Sequence, residues 1–220
     1  MKKKRIYIVV SVILCTLIMS IVDGIIKPNY LIKSIIKITL FLIIPLALPI
    51  YRIEIKKIFK PTKQILLALI LGVFVYGGII GGYFVLREFI DFSTIANNLT
   101  TGAGVTAQNF VYVAIYISFV NSLLEEFFFR GFSFIMFSSM NSKKTAYIFS
   151  SLAFSLYHLG MTAGWFNIGL WILAIIGLFV GGCLFNLIDD KSKSIYPSWF
   201  VHMFANFAIN TIGFIMFEIL

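Results

Sequence analysis

The stretch QILLALILGVFVYGGIIGGYFVL, residues 64–86, contains no charged residue over 23 positions. At a rise of about 1.5 Å per residue, a helix of this length matches the roughly 30 Å hydrocarbon core of a bilayer. We therefore predict that residues 64–86 form a transmembrane helix.

Comparable apolar runs occupy most of the remaining chain. They lie near residues 6–22, 31–51, 109–137, 145–163, 166–188 and 195–218. The 220-residue chain is 60% hydrophobic and 12% charged, a balance that excludes an ordinary soluble domain. We predict an all-α fold, a polytopic membrane helical bundle of about seven transmembrane helices with an intramembrane polar site. Because the second run contains Lys33 and Lys37, it could instead begin as an interfacial helix whose lysines reach outward.

The net charge of +9 is concentrated in the connectors between the apolar runs. Every second connector is basic: Lys2 to Arg5, the stretch from Arg52 to Lys63, Lys143 with Lys144, and Lys191 with Lys193. By the positive-inside rule this pattern predicts a cytoplasmic N-terminus, with the first run as an uncleaved span. No soluble basic face is left to bind nucleic acid. The Lys-, Ile- and Phe-rich usage favours a bacterial plasma membrane.

Few ionisable side chains lie inside apolar runs of the second half, and they include Glu125, Glu126, His158 and His202. Such residues are costly in a bilayer, so each indicates a functional site by default. Glu125 and His158 each lie about sixteen residues from the turn around Asn141, so two antiparallel helices would hold them at one depth. His202 shares a helix face with Asn206, four residues further on.

Glu126 points away from Glu125 around the helix and lies four residues before Arg130. We predict a buried Glu126–Arg130 ion pair that supports the structure and leaves Glu125 for chemistry. Both carboxylates could instead act together. Five further polar residues close to these positions are interpreted as packing residues: Asn121, Ser122, Tyr157, Trp199 and Asn210.

Three short segments resemble a known family: EEFFFR at 125–130, FSLYH at 154–158 and HMFAN at 202–206. They are similar, in the same order, to the EExxxR, FxxxH and HxxxN elements of the CPBP family. This family comprises the CAAX protease and bacteriocin-processing (Abi) intramembrane proteases. The resemblance implies a division into N-terminal transmembrane helices with an extracytoplasmic connector, residues 1–108, and a catalytic membrane core, residues 109–220. The connector from 87 to 108 is expected to be a loop or a surface helix.

The resemblance also implies roles for the site residues. Glu125 with His158 would activate a water, His202 and Asn206 would stabilise the oxyanion, and Glu126 and Arg130 would support the site. Glu125, His158 and His202 are also legitimate zinc ligands, although the chain has no HExxH helix. The expected cofactor is therefore none or zinc, and both mechanisms stay open.

The predicted function is that of a CAAX prenyl protease-like intramembrane (metallo)endopeptidase acting on a membrane-associated or C-terminal peptide. CAAX-type processing and bacteriocin maturation or self-immunity are the two expected settings. The expected partners are a peptide or protein substrate and the lipid bilayer, with no nucleic acid. Two other classes compete: a non-catalytic membrane scaffold of the same fold, and a proton-coupled carrier with a Glu and His relay.

Overall fold

The computed structural model describes residues 2–47 and 55–220. Within these residues the chain is helical and contains no strand, which confirms the all-α prediction. The helices are α1 (Lys2–Ile26), α2 (Tyr30–Ile38, continued by Thr39–Ile43 and Ile44–Leu46), α3 (Ile65–Leu86), α4 (Ser93–Ala103), α5 (Phe110–Met136), α6 (Lys143–Thr162), α7 (Ile168–Ser192) and α8 (Tyr196–Met216).

Five of these helices are long and apolar enough to cross a membrane: α1, α3, α5, α7 and α8. They coincide with five of the seven predicted runs. α6 occupies the run 145–163, but its buried serines and His158 make it less apolar, and it packs between α1, α5 and α7. The predicted run 31–51 extends past α2 into positions 48–51, which lie outside the described residues, as does Arg52.

The two lysines of α2, Lys33 and Lys37, point into the helical bundle. Lys37 is 4% exposed, and Lys33 forms an ion pair with Asp23 of α1 at 2.6 Å. The alternative in which these lysines reach outward to the membrane surface does not hold, because each has an acidic partner inside the bundle. Asn29 begins α2 by accepting a hydrogen bond from the Ile32 amide at 3.0 Å.

α1 and α2 contribute to the same hydrophobic core as α5 and α6. The ring of Phe41 on α2 stacks on Phe128 of α5 with 4.2 Å between centroids. α1 meets α6 at a pair of glycines, where a Cβ on Gly160 would lie 2.3 Å from the Ser20 carbonyl oxygen. Only small residues permit this backbone approach, so the two helices are locked in register.

α5 departs from regular α-helical geometry in two wider π-type stretches, Tyr116–Asn121 and Glu126–Met136. Between them lies the short α-helical segment Ser122–Glu125. Wide turns of this kind are frequent at functional sites, because they redirect the side chains on either side. Glu125 and Glu126 lie on the boundary of the second stretch.

The long polar connector contains α4, which matches the expected surface-helix alternative. α4 ends at Gly104, whose φ of 67° is a conformation that glycine adopts without strain. On the opposite flank, α3 packs along α8, and Gly72 leaves room for the Phe204 ring. Most of α3 and α7 carries exposed apolar side chains, as expected of helices at the lipid boundary.

Candidate active site

α5 presents two adjacent carboxylates to the interior of the bundle. Glu125 is 3% exposed and Glu126 is fully buried. A buried carboxylate that is not neutralised is costly, so each requires a positively charged or hydrogen-bonding partner. The two carboxylates find different partners on different helices.

Glu126 faces Arg130 and α8. Its Oε2 lies 3.3 Å from Arg130 Nε, so the ion pair predicted from the sequence is present. The guanidinium also lies over the rings of Phe154 and Phe185, at 4.1 and 4.8 Å from Cζ to the centroids. Glu126 Oε1 accepts a hydrogen bond from His202 Nδ1 at 2.7 Å, a contact that the sequence did not predict. Since a carboxylate only accepts, His202 Nδ1 carries the proton.

Glu125 faces α2 and α6 through one of its two oxygens. Oε1 accepts hydrogen bonds from Lys37 Nζ at 2.7 Å, Asn121 Nδ2 at 2.9 Å and the Tyr157 hydroxyl at 3.3 Å. Lys37 also donates to the side-chain oxygen of Asn121, which closes a ring of contacts around Oε1. In the described part of the chain Oε2 makes no hydrogen bond, and it lies 3.8 Å from His202 Nε2. Oε2 is therefore the oxygen that is available for chemistry.

His158 follows Tyr157 on α6. Its Nδ1 lies 2.7 Å from the Phe154 carbonyl oxygen, so Nδ1 donates and the neutral ring has Nε2 free to accept. The ring packs edge-on against Phe154 and Tyr157. Across residues 2–47 and 55–220, no hydrogen bond or ion pair joins His158 to Glu125, although the two groups interact electrostatically. The sequence predicts that Glu125 and His158 lie at one depth. Among the described residues they lie in the same buried site without a direct contact, and Tyr157 is the residue of α6 that contacts Glu125.

α8 lies along α5 through two asparagines on one face. Asn206 Nδ2 donates to the Ile117 carbonyl at 3.1 Å, and Asn210 Nδ2 donates to the Ala114 carbonyl and to Ser118 Oγ at 3.1 and 3.0 Å. Ile117 belongs to the first wide stretch of α5, and its carbonyl also accepts from the Ser122 amide. One N–H of the Asn206 carboxamide is used in this way, and the other remains available as a donor.

The depth of His202 is set by the turn between α7 and α8. Fully buried Asp189 accepts hydrogen bonds from the amide and the hydroxyl of Ser198, at 3.1 and 2.6 Å. Asp189 belongs to the end of α7, and a carboxylate placed against the first turn of a helix satisfies free N–H groups and complements the helix dipole. α8 is thereby anchored one turn before His202.

The predicted zinc ligands do not form a metal site in this arrangement. Among the described residues, no group of three or more His, Cys, Asp or Glu side chains is placed to hold a metal ion. The nearest pair, Glu125 and His202, has the Lys37 ammonium bound to the same carboxylate. Since that cation already neutralises Glu125, the donor set does not fit a zinc ion.

Sequence reasoning missed three residues that contact Glu125: Lys37, Asn121 and Tyr157. The sequence alone favours packing roles for Asn121 and Tyr157, and for Lys37 it leaves open a position at the membrane surface. For Lys37 a signal was present, because it lies between Ile36 and Ile38 in an apolar run, where an ionisable residue indicates function.

The fold and these contacts define a helical membrane protein with a buried carboxylate and imidazole site. Residues 107–208 match the family model described as Type II CAAX prenyl endopeptidase Rce1-like. This match confirms the predicted resemblance of this part of the chain to the CPBP/CAAX protease family. The family supports an intramembrane protease activity in general, in an integral membrane protein. No curated protein and no solved structure matches the chain.

The matched segment contains every site residue predicted from the sequence. It covers α5, α6 and α7 and most of α8. α2, with Lys37, lies outside it.

Proposed function

We propose that this protein hydrolyses a peptide bond of a membrane-associated or C-terminal peptide, with Glu125 as the general base. The observation that carries the proposal is the asymmetry of the Glu125 carboxylate. Three donors occupy Oε1, whereas Oε2 faces His202 Nε2 across 3.8 Å. A gap of this size between two polar atoms suits a bridging water.

In the proposed reaction Glu125 Oε2 takes a proton from this water, assisted by His158. The hydroxide attacks the substrate carbonyl carbon and forms a tetrahedral intermediate with a negatively charged oxygen. The second N–H of Asn206 stabilises that oxygen, in the manner of an oxyanion hole, and His202 adds a second donor when its Nε2 also carries a proton, because Nδ1 already donates to Glu126. The C–N bond then breaks, and the proton held by Glu125 passes to the leaving amine nitrogen.

The proposed mechanism uses no metal. Support comes from the donor set, in which the Lys37 ammonium provides the positive charge next to Glu125. His202 is also committed through Nδ1 to Glu126, which fixes its ring orientation. The family's description names a prenylated CAAX peptide as the substrate class, and we propose this class for the present chain.

The proposed setting is a bacterial plasma membrane with the N-terminus in the cytoplasm. Support comes from the basic connectors, which alternate along the chain. The apolar flanks of α3 and α7 would face lipid, and a lipid-modified peptide could approach from that side.

The test is cleavage of a synthetic CAAX peptide, with and without its prenyl group, by purified protein in nanodiscs. Three proteins are compared: wild type, Glu125→Gln, and the control Glu88→Gln at an exposed acidic residue beyond α3. We expect cleavage by wild type and the control, and a loss of about 10²- to 10⁴-fold in Glu125→Gln, the usual contribution of a general base. Full activity of Glu125→Gln would contradict the assigned base, and failure of wild type to cleave any such peptide would contradict the proposed function.

A further inference from the structure

α2 brings a buried positive charge to the candidate active site from outside the family segment. Lys37 is 84 and 88 positions before its two polar partners, Asn121 and Glu125. Its ammonium lies 2.7 Å from Glu125 Oε1, and its side chain is 5% exposed. A lysine in this environment is expensive to bury, so its retention in an apolar run needs a compensating role.

The ammonium is held on several sides. Nζ lies 4.8 Å from the centroid of Tyr157 and 5.7 Å from that of Phe41. Phe41 is one turn further along α2 and stacks on Phe128 of α5, so the helix that carries Lys37 is itself fixed against the helix that carries Glu125. The position of the charge is therefore built into the core and does not depend on a flexible side chain at a surface.

The charge of Lys37 matters for the state of Glu125. An isolated carboxylate in an apolar interior becomes neutral by taking up a proton. A protonated Glu125 could not accept a proton from water, so the proposed base needs a nearby cation. Arg130 does not serve this purpose, because its guanidinium pairs with Glu126.

The direction of the contact matters as well. Lys37, Asn121 and Tyr157 all donate to Oε1, which leaves Oε2 to face His202 Nε2. Among the described residues Lys37 is the only fully charged donor to this carboxylate, so without the ammonium its orientation would depend on the neutral donors Asn121 and Tyr157. Charge-assisted hydrogen bonds are the stronger ones, so Lys37 is expected to dominate this orientation.

We propose that Lys37 is a positioning residue for peptide hydrolysis. Lys37 keeps Glu125 ionised and orients Oε2 towards the reacting water. This inference rests on the proposed function. It extends the working site beyond residues 107–208 and makes α2 a part of the hydrolase.

The chain offers a matched control on the same helix. Lys33 lies one turn before Lys37 and also forms an ion pair with a buried carboxylate, that of Asp23, at 2.6 Å. That pair joins α2 to α1 and does not touch Glu125. Lys33→Met therefore removes a lysine and an ion pair from α2 without altering the Glu125 contacts.

The experiment measures kcat and KM per folded molecule for wild type, Lys37→Met, Lys37→Gln, Lys37→Arg and Lys33→Met, with the prenylated CAAX peptide in nanodiscs. We expect Lys37→Met to lower kcat by about 10²-fold or more at nearly unchanged KM, because a general base contributes at least this much. Lys37→Arg should recover part of kcat, since it restores a cation. Lys33→Met should lower thermal stability and keep the wild-type kcat.

The two neutral variants keep the test decisive. If Lys37→Met does not fold, Lys37→Gln supplies the same measurement with a hydrogen-bond donor but no charge. Wild-type kcat in the folded neutral variant would overturn the inference, and an increased kcat would do so too, because it would make Lys37 an inhibitory contact. Cleavage by wild type but not by Glu125→Gln, together with full activity of both neutral Lys37 variants, overturns only the inference. No cleavage by wild type overturns the proposed function and the inference with it.

Discussion

Glu125 and Glu126 are adjacent in the sequence, yet they are neutralised in opposite ways. Glu126 pairs with Arg130, four residues away on its own helix. Glu125 pairs with Lys37, from a helix 88 positions earlier. The local pair is the one that a sequence pattern can reveal, whereas the distant pair exists only after the helices have assembled.

The chemistry of the two cations supports the different roles proposed for the two carboxylates. An arginine keeps its proton in any protein environment, so the Glu126–Arg130 pair is permanently ionic. The lysine of the Glu125 pair contributes a compact ammonium that contacts only Oε1 of the carboxylate, so the second oxygen of Glu125 stays free of it. We infer that the Glu126 side is a fixed support and that the Glu125 side is the one that can take part in proton transfer.

The largest expected effect is a loss of stability when the Glu126–Arg130 ion pair is broken. Arg130→Met leaves Glu126 as an unpaired buried charge, and breaking such a pair typically costs about 3–5 kcal/mol. We expect a strong loss of folded protein, measured as thermal unfolding in detergent or nanodiscs. The control is Arg87→Met, which removes an arginine from a largely exposed pair with Glu88 and should change stability by no more than about 0.5 kcal/mol. A stable but inactive Arg130→Met protein would place Arg130 in the reaction instead.

The next effect concerns catalysis on α8. Asn206→Ala removes the proposed oxyanion donor and should slow the chemical step by the equivalent of about 2–4 kcal/mol. Asn210→Ala is the matched control, because Asn210 lies one turn further on the same face and donates to the Ala114 carbonyl and Ser118. We expect Asn210→Ala to lower stability and to leave kcat per folded molecule unchanged. Equal kcat values for the two variants would remove Asn206 from the reaction.

The smallest expected effect is that of metal removal. Because Lys37 already supplies the cation beside Glu125, dialysis against a strong zinc chelator should leave turnover at the untreated value. The check is turnover before and after dialysis, followed by addition of zinc. Activity that is lost on chelation and returns with zinc would favour the zinc mechanism over the lysine one.

The sequence alone was sufficient for the fold class and for part of the site. Hydropathy runs identify α1, α3, α5, α7 and α8, since a span needs only length and apolar composition. Helical spacing predicts the Glu126–Arg130 pair, which survives the local widening of α5. The contacts of His202 with the two carboxylates could not be predicted, because the nitrogen of His202 that faces each carboxylate depends on side-chain orientation.

Other features could not be predicted because they depend on how distant helices dock. The π-type stretches of α5 have no signal in the apolar pattern, yet they determine where Glu126 and Ile117 point. Lys37 reaches Glu125 only because the rings of Phe41 and Phe128 stack and fix α2 against α5. For Asn121, hydrogen bonding to a carboxylate and packing are indistinguishable from the sequence.

The most direct test of Glu125 as the general base compares turnover per folded molecule for Glu125→Gln and Glu126→Gln. Glu126→Gln keeps an oxygen that can accept from His202 Nδ1, so its folded fraction should retain most of its turnover while its stability falls. Glu125→Gln keeps a side-chain oxygen that can accept from Lys37, so it should remain folded, and it should lose turnover by about 10²- to 10⁴-fold. Loss of turnover in Glu126→Gln, with turnover retained in Glu125→Gln, would contradict the assignment of Glu125 as the base.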